Sequence, residues 1–261
     1  MTGHATHPHI NPPSTPAGTV GRHVIVGLIL GVLGLAALFG IGDEITDGSR
    51  GAARFDHAVL MWMHGRQTPD FTEAATFLAW MGSPTVIVSL ALIGTLAGFV
   101  DRKLRGAAWT FPVAAAGAGI LIQVAKLTVH RARPDLFVPL LKEHGFSFPS
   151  GHSLIAVVIY GLIGYFALGF THRLASRAAI VAASALVILA IGLSRIYVGV
   201  HYPTDVIAGW SAGIPWLVVC IGLHEQMSRR WGRYGQPVLE KAPKLSNAIE
   251  QPGKTKAHPS K

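Results

Sequence analysis

The sequence predicts an all-α integral-membrane protein, a bundle of six transmembrane helices with a short interfacial helix region after the first span. Three observations predict it. Half of the 261 residues are apolar and only 13% are charged, against about a quarter charged in an average soluble domain. Mean hydropathy is +0.43. The apolar residues also come in blocks, several of them near the roughly 20 residues that a helix needs to cross a bilayer.

The blocks organise the chain. Residues 1–22, rich in Pro, Gly, Thr and His, read as a disordered tail. His4, His7 and His9 belong to that tail and read as solvated rather than metal-binding. Residues 23–227 form one six-span membrane domain. The first apolar run, 24–42, is too long for a signal-peptide core and is followed by no small-residue cleavage site, so it reads as a retained helix. In the connection 43–83, Phe55, Val59, Leu60 and Trp62 fit one face of an amphipathic interfacial helix. The stretch from Phe71 to Met81 reads as a second surface helix or an extension of the next span. The remaining spans are expected at 84–100, 107–125, 153–171, 178–194 and 206–224. Pro112 and Pro215 lie inside two of them, which membrane helices tolerate where neighbours satisfy the freed carbonyls. Gly27/Gly31 and Gly209/Gly213 have the four-residue spacing of close helix contacts. Residues 228–261 read as a basic disordered tail.

Charge sets the orientation. The formal charge is +9. Of the 22 Lys and Arg residues, the two tails and the loops 101–106 and 171–177 hold 14, and the opposite connections hold 8. The positive-inside rule then places both termini in the cytoplasm, for a multi-pass protein of the plasma (inner) membrane. Basic residues beside a span contact anionic lipid more simply than nucleic acid, and no nucleic-acid-binding motif is present. The single cysteine, Cys220, sits in an apolar run and reads as a buried, inert thiol.

Membrane helices rarely carry ionisable residues without a functional reason. Here those residues collect at helix ends. Lys126 closes the third span, and Arg131 and Arg133 follow it. His152 opens the fourth, Arg195 closes the fifth, and His201 and Asp205 open the sixth. Parity puts all these ends on one membrane face, the outer one. Arg offers a planar fork to phosphate oxygens and Lys a point charge. In Pro149-Ser150-Gly151-His152, Ser150 can cap a helix and Gly151 lets a backbone N–H approach an anion. The set suits a phosphoryl group. Asp205 lies four residues after His201, so it can fix the tautomer of that ring and free its other nitrogen to attack. His152 has no such carboxylate and fits the acid that protonates a leaving group. Arg131 reads as a headgroup or substrate contact. Tyr197 and Tyr202 read as packing, His130 and His144 as solvated, and the six tryptophans mostly as interface or packing residues.

Lys126, six residues, Arg133-Pro134; Pro149-Ser150-Gly151-His152; and Ser194-Arg195, five residues, His201, three residues, Asp205 together resemble the three-part signature of the type 2 phosphatidic acid phosphatase superfamily, over roughly residues 55–225. The resemblance implies a lipid phosphatase without cofactor or metal. It makes His152 the general acid, His201 the nucleophile that forms a phosphohistidine, and Asp205 its partner. Lys126, Arg133, Ser150, Gly151 and Arg195 would hold the phosphate. The partners it implies are the bilayer and a membrane lipid substrate. The expected substrate is undecaprenyl diphosphate, with phosphatidylglycerophosphate and phosphatidic acid as alternatives. Transfer of the phosphoryl group to a lipid or sugar acceptor is a second reading. Vanadate-dependent haloperoxidation shares the anion site, but those enzymes are soluble. A transporter would place polar groups near the bilayer midplane, and a non-catalytic lipid-binding relative would have lost a histidine or the aspartate.

Overall fold

The structure is a computed structural model. It describes residues 50–249 throughout, with side chains to Ser228, and residues 29, 32–34, 36 and 38–45 before them, all helical. The expected tail 1–22, Gly27 and Gly31 lie outside the described residues.

Among the described residues every regular element is helical. The order is α1 (Arg50–His64), α2 (Pro69–Met81), α3 (Pro84–Val100), a 3-10 turn (Arg102–Leu104), α4 (Ala107–Val129), α5 (Gly151–Leu168), α6 (Leu174–Tyr197) and α7 (Pro203–Ile249). Local chemistry sets several of these ends. Thr68 and Ser83 cap α2 and α3, each followed by Pro in the first turn, where a missing N–H costs nothing. Asp101 caps the 3-10 turn through Lys103 N–H. His130 ends α4 in the left-handed conformation, φ 51°.

Four stretches are long and apolar enough to cross a membrane: Arg102–Val129, Gly151–Leu168, Leu174–Tyr197 and Pro203–Ser228. The pair α2 and α3, bent by 48° at Gly82–Ser83, makes a fifth if it counts as one span. The run from Phe71 to Met81 is thus a helix joined at an angle to the next one. The backbone of α7 continues to Ile249, into the stretch from 228 that the sequence reads as disordered. Leu239, Glu240, Lys241 and Ala242 are good helix formers there.

The centre of the bundle is α5, buried on several sides through Leu154, Ala156, Val157, Val158, Ile159 and Leu162. It packs against α4, α6 and α7. Around it the core takes in Ile87, Phe111, Ala114, Ala118, Ala212 and Cys220. Many outward residues are apolar and exposed, among them Leu92, Leu96, Phe99, Ile120, Val124 and Leu186. Such a belt faces lipid at little cost. Between helices in lipid, close packing replaces the hydrophobic drive, so small residues gather at contacts. Gly209 and Gly213 on α7 do this against α5. A Cβ at Gly209 would stand 2.6 Å from Ser150 O, and one at Gly213 would stand 2.8 Å from Leu154 O. The helical residues before α1 also meet α7, with Gly34 against Ser211 and Pro215.

Candidate active site

One end of the bundle gathers the ionisable residues. Lys126 lies in the last turn of α4 and Arg195 in the last turn of α6. His152 lies in the first turn of α5 and Asp205 in the first turn of α7. His201 stands in the short connection before α7, and Arg131 and Arg133 in the long one after α4.

Backbone bonds fasten these connections together. Leu140 N–H donates to Val198 O (2.9 Å), Ser147 N–H to Arg131 O (2.8 Å), and Ser150 N–H to Asp205 O (2.9 Å). Gly199, at φ +79°, makes the turn before His201, and a Cβ there would lie 2.6 Å from the Phe137 ring. Only glycine suits both demands.

His201 is buried, 1% exposed. Its Nδ1 lies 3.4 Å from Asp205 Oδ2 and 3.4 Å from Ser147 Oγ. Its Nε2 lies 3.3 Å from Arg133 Nη1. With oxygen acceptors on one side and a guanidinium donor on the other, the neutral ring carries its proton on Nδ1 and its lone pair on Nε2. Burial pushes the imidazole below its usual range, against the Asp205 carboxylate, which works to raise it.

Asp205 is fully buried, and its two oxygens are divided. Oδ2 accepts from the Ser147 hydroxyl and from Tyr202 N–H (2.9 Å), and faces His201. Oδ1 accepts from Arg131 Nη1 at 2.6 Å. The other Arg131 nitrogen, Nη2, reaches Asp56 Oδ2 at 2.6 Å, and the guanidinium lies 4.0 Å over the Tyr202 ring. Burial works against the Arg131 charge, but Asp205 and Asp56 outweigh it and raise its pKa. Breaking a buried pair of this kind by removing one partner costs about 3–5 kcal/mol.

The other cations surround the His201 ring. Arg133 also donates to Val200 O (2.9 Å), Gly145 O (3.1 Å) and His144 O (3.2 Å). Arg195 is buried and donates to Glu143 Oε1 at 2.5 Å. Its Nε, also buried, has no hydrogen-bond partner among the described residues. Lys126 and His152 lie within electrostatic range of Arg133 and Arg195. Ser150 caps α5, its hydroxyl accepting from Ser153 N–H (3.4 Å) and from Ser153 Oγ–H (2.9 Å). The first N–H groups of a helix have no intrahelical acceptor, so those of Gly151 and His152 open onto this end.

All eight residues singled out from the sequence are thus at one end of the bundle. Among the described residues, no group of three or more His, Cys, Asp or Glu side chains is placed to hold a metal. Four participants escaped the sequence: Asp56, Glu143 and Ser147, and Arg131 as a structural tie rather than a headgroup contact. Tyr202, read as packing, supports Arg131, and Tyr197 hydrogen-bonds Thr72 across to α2 (3.1 Å). His130 and His144 are exposed, and Cys220 is buried.

Known proteins resemble this chain in sequence and in fold. The model of the PAP2 superfamily matches residues 107–229. Phosphatidylglycerophosphatase B of Bacillus subtilis is 34% identical over 162 residues, 62% of this chain and 79% of that protein. Undecaprenyl-diphosphatase of Sulfolobus acidocaldarius is 34% identical over 119 residues, 44% of this chain and 53% of that one. Among solved structures, a transmembrane PAP2-type phosphatidylglycerolphosphate phosphatase from Bacillus subtilis superposes with a TM-score of 0.63 at 27% identity, covering 79% of this chain and 96% of that one. By sequence over most of a relative's length, and by fold, the chain belongs to the PAP2 superfamily.

Proposed function

We propose that this membrane phosphatase of the PAP2 superfamily is a metal-independent lipid phosphatase that works through a phosphohistidine on His201. The observation that carries the reading is the division of the His201 ring. Asp205 lies against Nδ1, and Nε2 opens among cations. In the first step, Nε2 attacks phosphorus and the bond from phosphorus to the leaving oxygen breaks. His152 gives its proton to that oxygen. In the second step, neutral His152 takes a proton from water, the water oxygen attacks phosphorus, and the P–N bond breaks to release inorganic phosphate and His201. Arg133, Arg195 and Lys126 neutralise the phosphate oxygens. Gly151 N–H and the hydroxyl hydrogen of Ser150 add hydrogen bonds where charge develops.

Several finer features belong to the same reading. The helical residues before α1 and the bent pair α2–α3 complete six spans, and α1 rests at the bilayer surface. Both termini are cytoplasmic and the site faces outward across the plasma membrane. This follows from the charge count over the loops.

An outward site favours undecaprenyl diphosphate, a carrier lipid product of cell-wall transfer. A second reading, phosphatidylglycerophosphate, is favoured by the longer match to the Bacillus subtilis relative named for it. The test is phosphate release by purified protein in detergent micelles with EDTA present. The substrates are undecaprenyl diphosphate, phosphatidylglycerophosphate and phosphatidic acid, with His201→Ala as control. Release from at least one lipid, lost in the variant, supports the class and names the substrate. Release that needs a divalent cation, or that survives His201→Ala, contradicts it.

A further inference from the structure

We infer that Asp56, on α1 and outside the segment matched by the family model, is a positioning residue that sets the Asp205 carboxylate against His201 by way of Arg131. The inference rests on His201 being the nucleophile.

Asp56 is buried, 1% exposed, on a helix whose other fully buried residue is Leu60, with Val59 and Met63 partly buried beside it. A carboxylate so buried needs full compensation. It accepts from Thr204 N–H at 2.9 Å, from Thr204 Oγ–H at 2.6 Å and from Arg131 Nη2 at 2.6 Å. Its first bond caps the start of α7 from a helix well over a hundred residues earlier in the chain. Its last bond leaves the other Arg131 nitrogen, Nη1, to span Thr204 Oγ (2.7 Å) and Asp205 Oδ1 (2.6 Å).

Two consequences follow for the reacting ring. Geometrically, Arg131 is stretched between two fixed carboxylates, so it holds Asp205 Oδ1 and turns Oδ2 toward His201. Electrostatically, one guanidinium is shared by two carboxylates. The cluster therefore keeps a net negative charge beside the ring, which favours the positive charge that develops there as the P–N bond forms. With Asp56 neutral, Arg131 would compensate Asp205 alone, and that excess would vanish.

The experiment measures kcat and KM for the lipid phosphate that the wild-type full chain hydrolyses. The variants are Asp56→Asn, Asp205→Asn and the double variant. A positioning role lowers kcat of Asp56→Asn by about tenfold to a hundredfold, the usual effect of partners that orient a reacting group, with KM within about twofold. In the Asp205→Asn background the same change costs almost nothing more, because the carboxylate it positions is already gone. A merely structural role would cost the same in both backgrounds. If Asp56→Asn does not fold, Arg131→Lys takes its place, since a single ammonium nitrogen keeps the charge but lacks the fork that reaches Asp205 and Asp56 from two separate nitrogens. The same kcat loss and the same non-additivity are expected. The inference is overturned by a kcat within about threefold of wild type, by a loss confined to KM, or by equal losses in both backgrounds. Wild-type protein that releases no phosphate from any lipid overturns instead the reading on which it rests.

Discussion

The Glu143 carboxylate is 2.5 Å from the buried guanidinium of Arg195 and 3.7 Å from that of Arg133. It occupies the cations that the proposed mechanism assigns to phosphate. An incoming phosphate competes with it for these guanidinium donors. Glu143→Gln removes the competing charge, so inorganic phosphate or orthovanadate should inhibit about fivefold to fiftyfold more tightly, as expected from losing one charge-assisted contact. Inhibition constants measured at fixed ionic strength check this. Unchanged or weaker inhibition would mean that Glu143 does not compete for the site.

His152 is proposed to protonate the leaving oxygen. The need for that proton depends on the leaving group. His152→Ala should therefore slow hydrolysis of a lipid phosphate by about 10²–10⁴, the usual contribution of a general acid. An aryl phosphate with a low-pKa leaving group should lose much less in its phosphorylation step. Single-turnover rates on both substrates separate this from a binding role, which would slow the two alike.

A pH profile reads the nucleophile. His201 attacks as the neutral ring, and burial holds its pKa below the ordinary value near 6.5. The ring stays unprotonated to lower pH than a free imidazole would. The acid limb of kcat/KM should accordingly fall below pH 6.5, with activity lost as pH drops through the lowered pKa. An acid limb above that value would contradict a buried, neutral nucleophile.

Much of this was readable from the chain alone. The blocks of apolar residues anticipated several of the helices, and the ionisable residues read at their ends lie together at one end of the bundle. The motif residues converge because most lie in the first or last turn of a helix or just beyond it, with Arg133 in the long connection tied back by its bond to Val200 O, and helix ends follow local sequence. Asp56, Ser147 and Glu143 were missed, and Arg131 was named without its role as a tie, because their partners are 52 to 148 residues away. No periodicity reports a contact at such distance. Asp56 did leave a signal, an acid four residues before Leu60 on an otherwise apolar face. The helix that starts at Pro203 runs on to Ile249, through a stretch where Pro, Lys and Gly weigh against its helix formers.

Packing supports the site from behind. Gly209 lets α7 approach the backbone of Ser150, which caps α5. Gly209→Ala forces these helices apart and should destabilise the protein by about 1–3 kcal/mol, as overpacking does. Thermal unfolding in detergent measures it. Activity should fall with it, since Ser150 and His152 move with the start of α5. A variant as stable as wild type would show that the contact can relax freely.

The central claim is a covalent bond between phosphorus and His201. The direct measurement is an acid-free quench of the enzyme during turnover of a ³²P-labelled lipid phosphate, followed by peptide mapping. The account predicts label that is acid-labile and base-stable, on the peptide that carries His201, and absent from His201→Ala. Label on another residue, or steady turnover in His201→Ala, would contradict it.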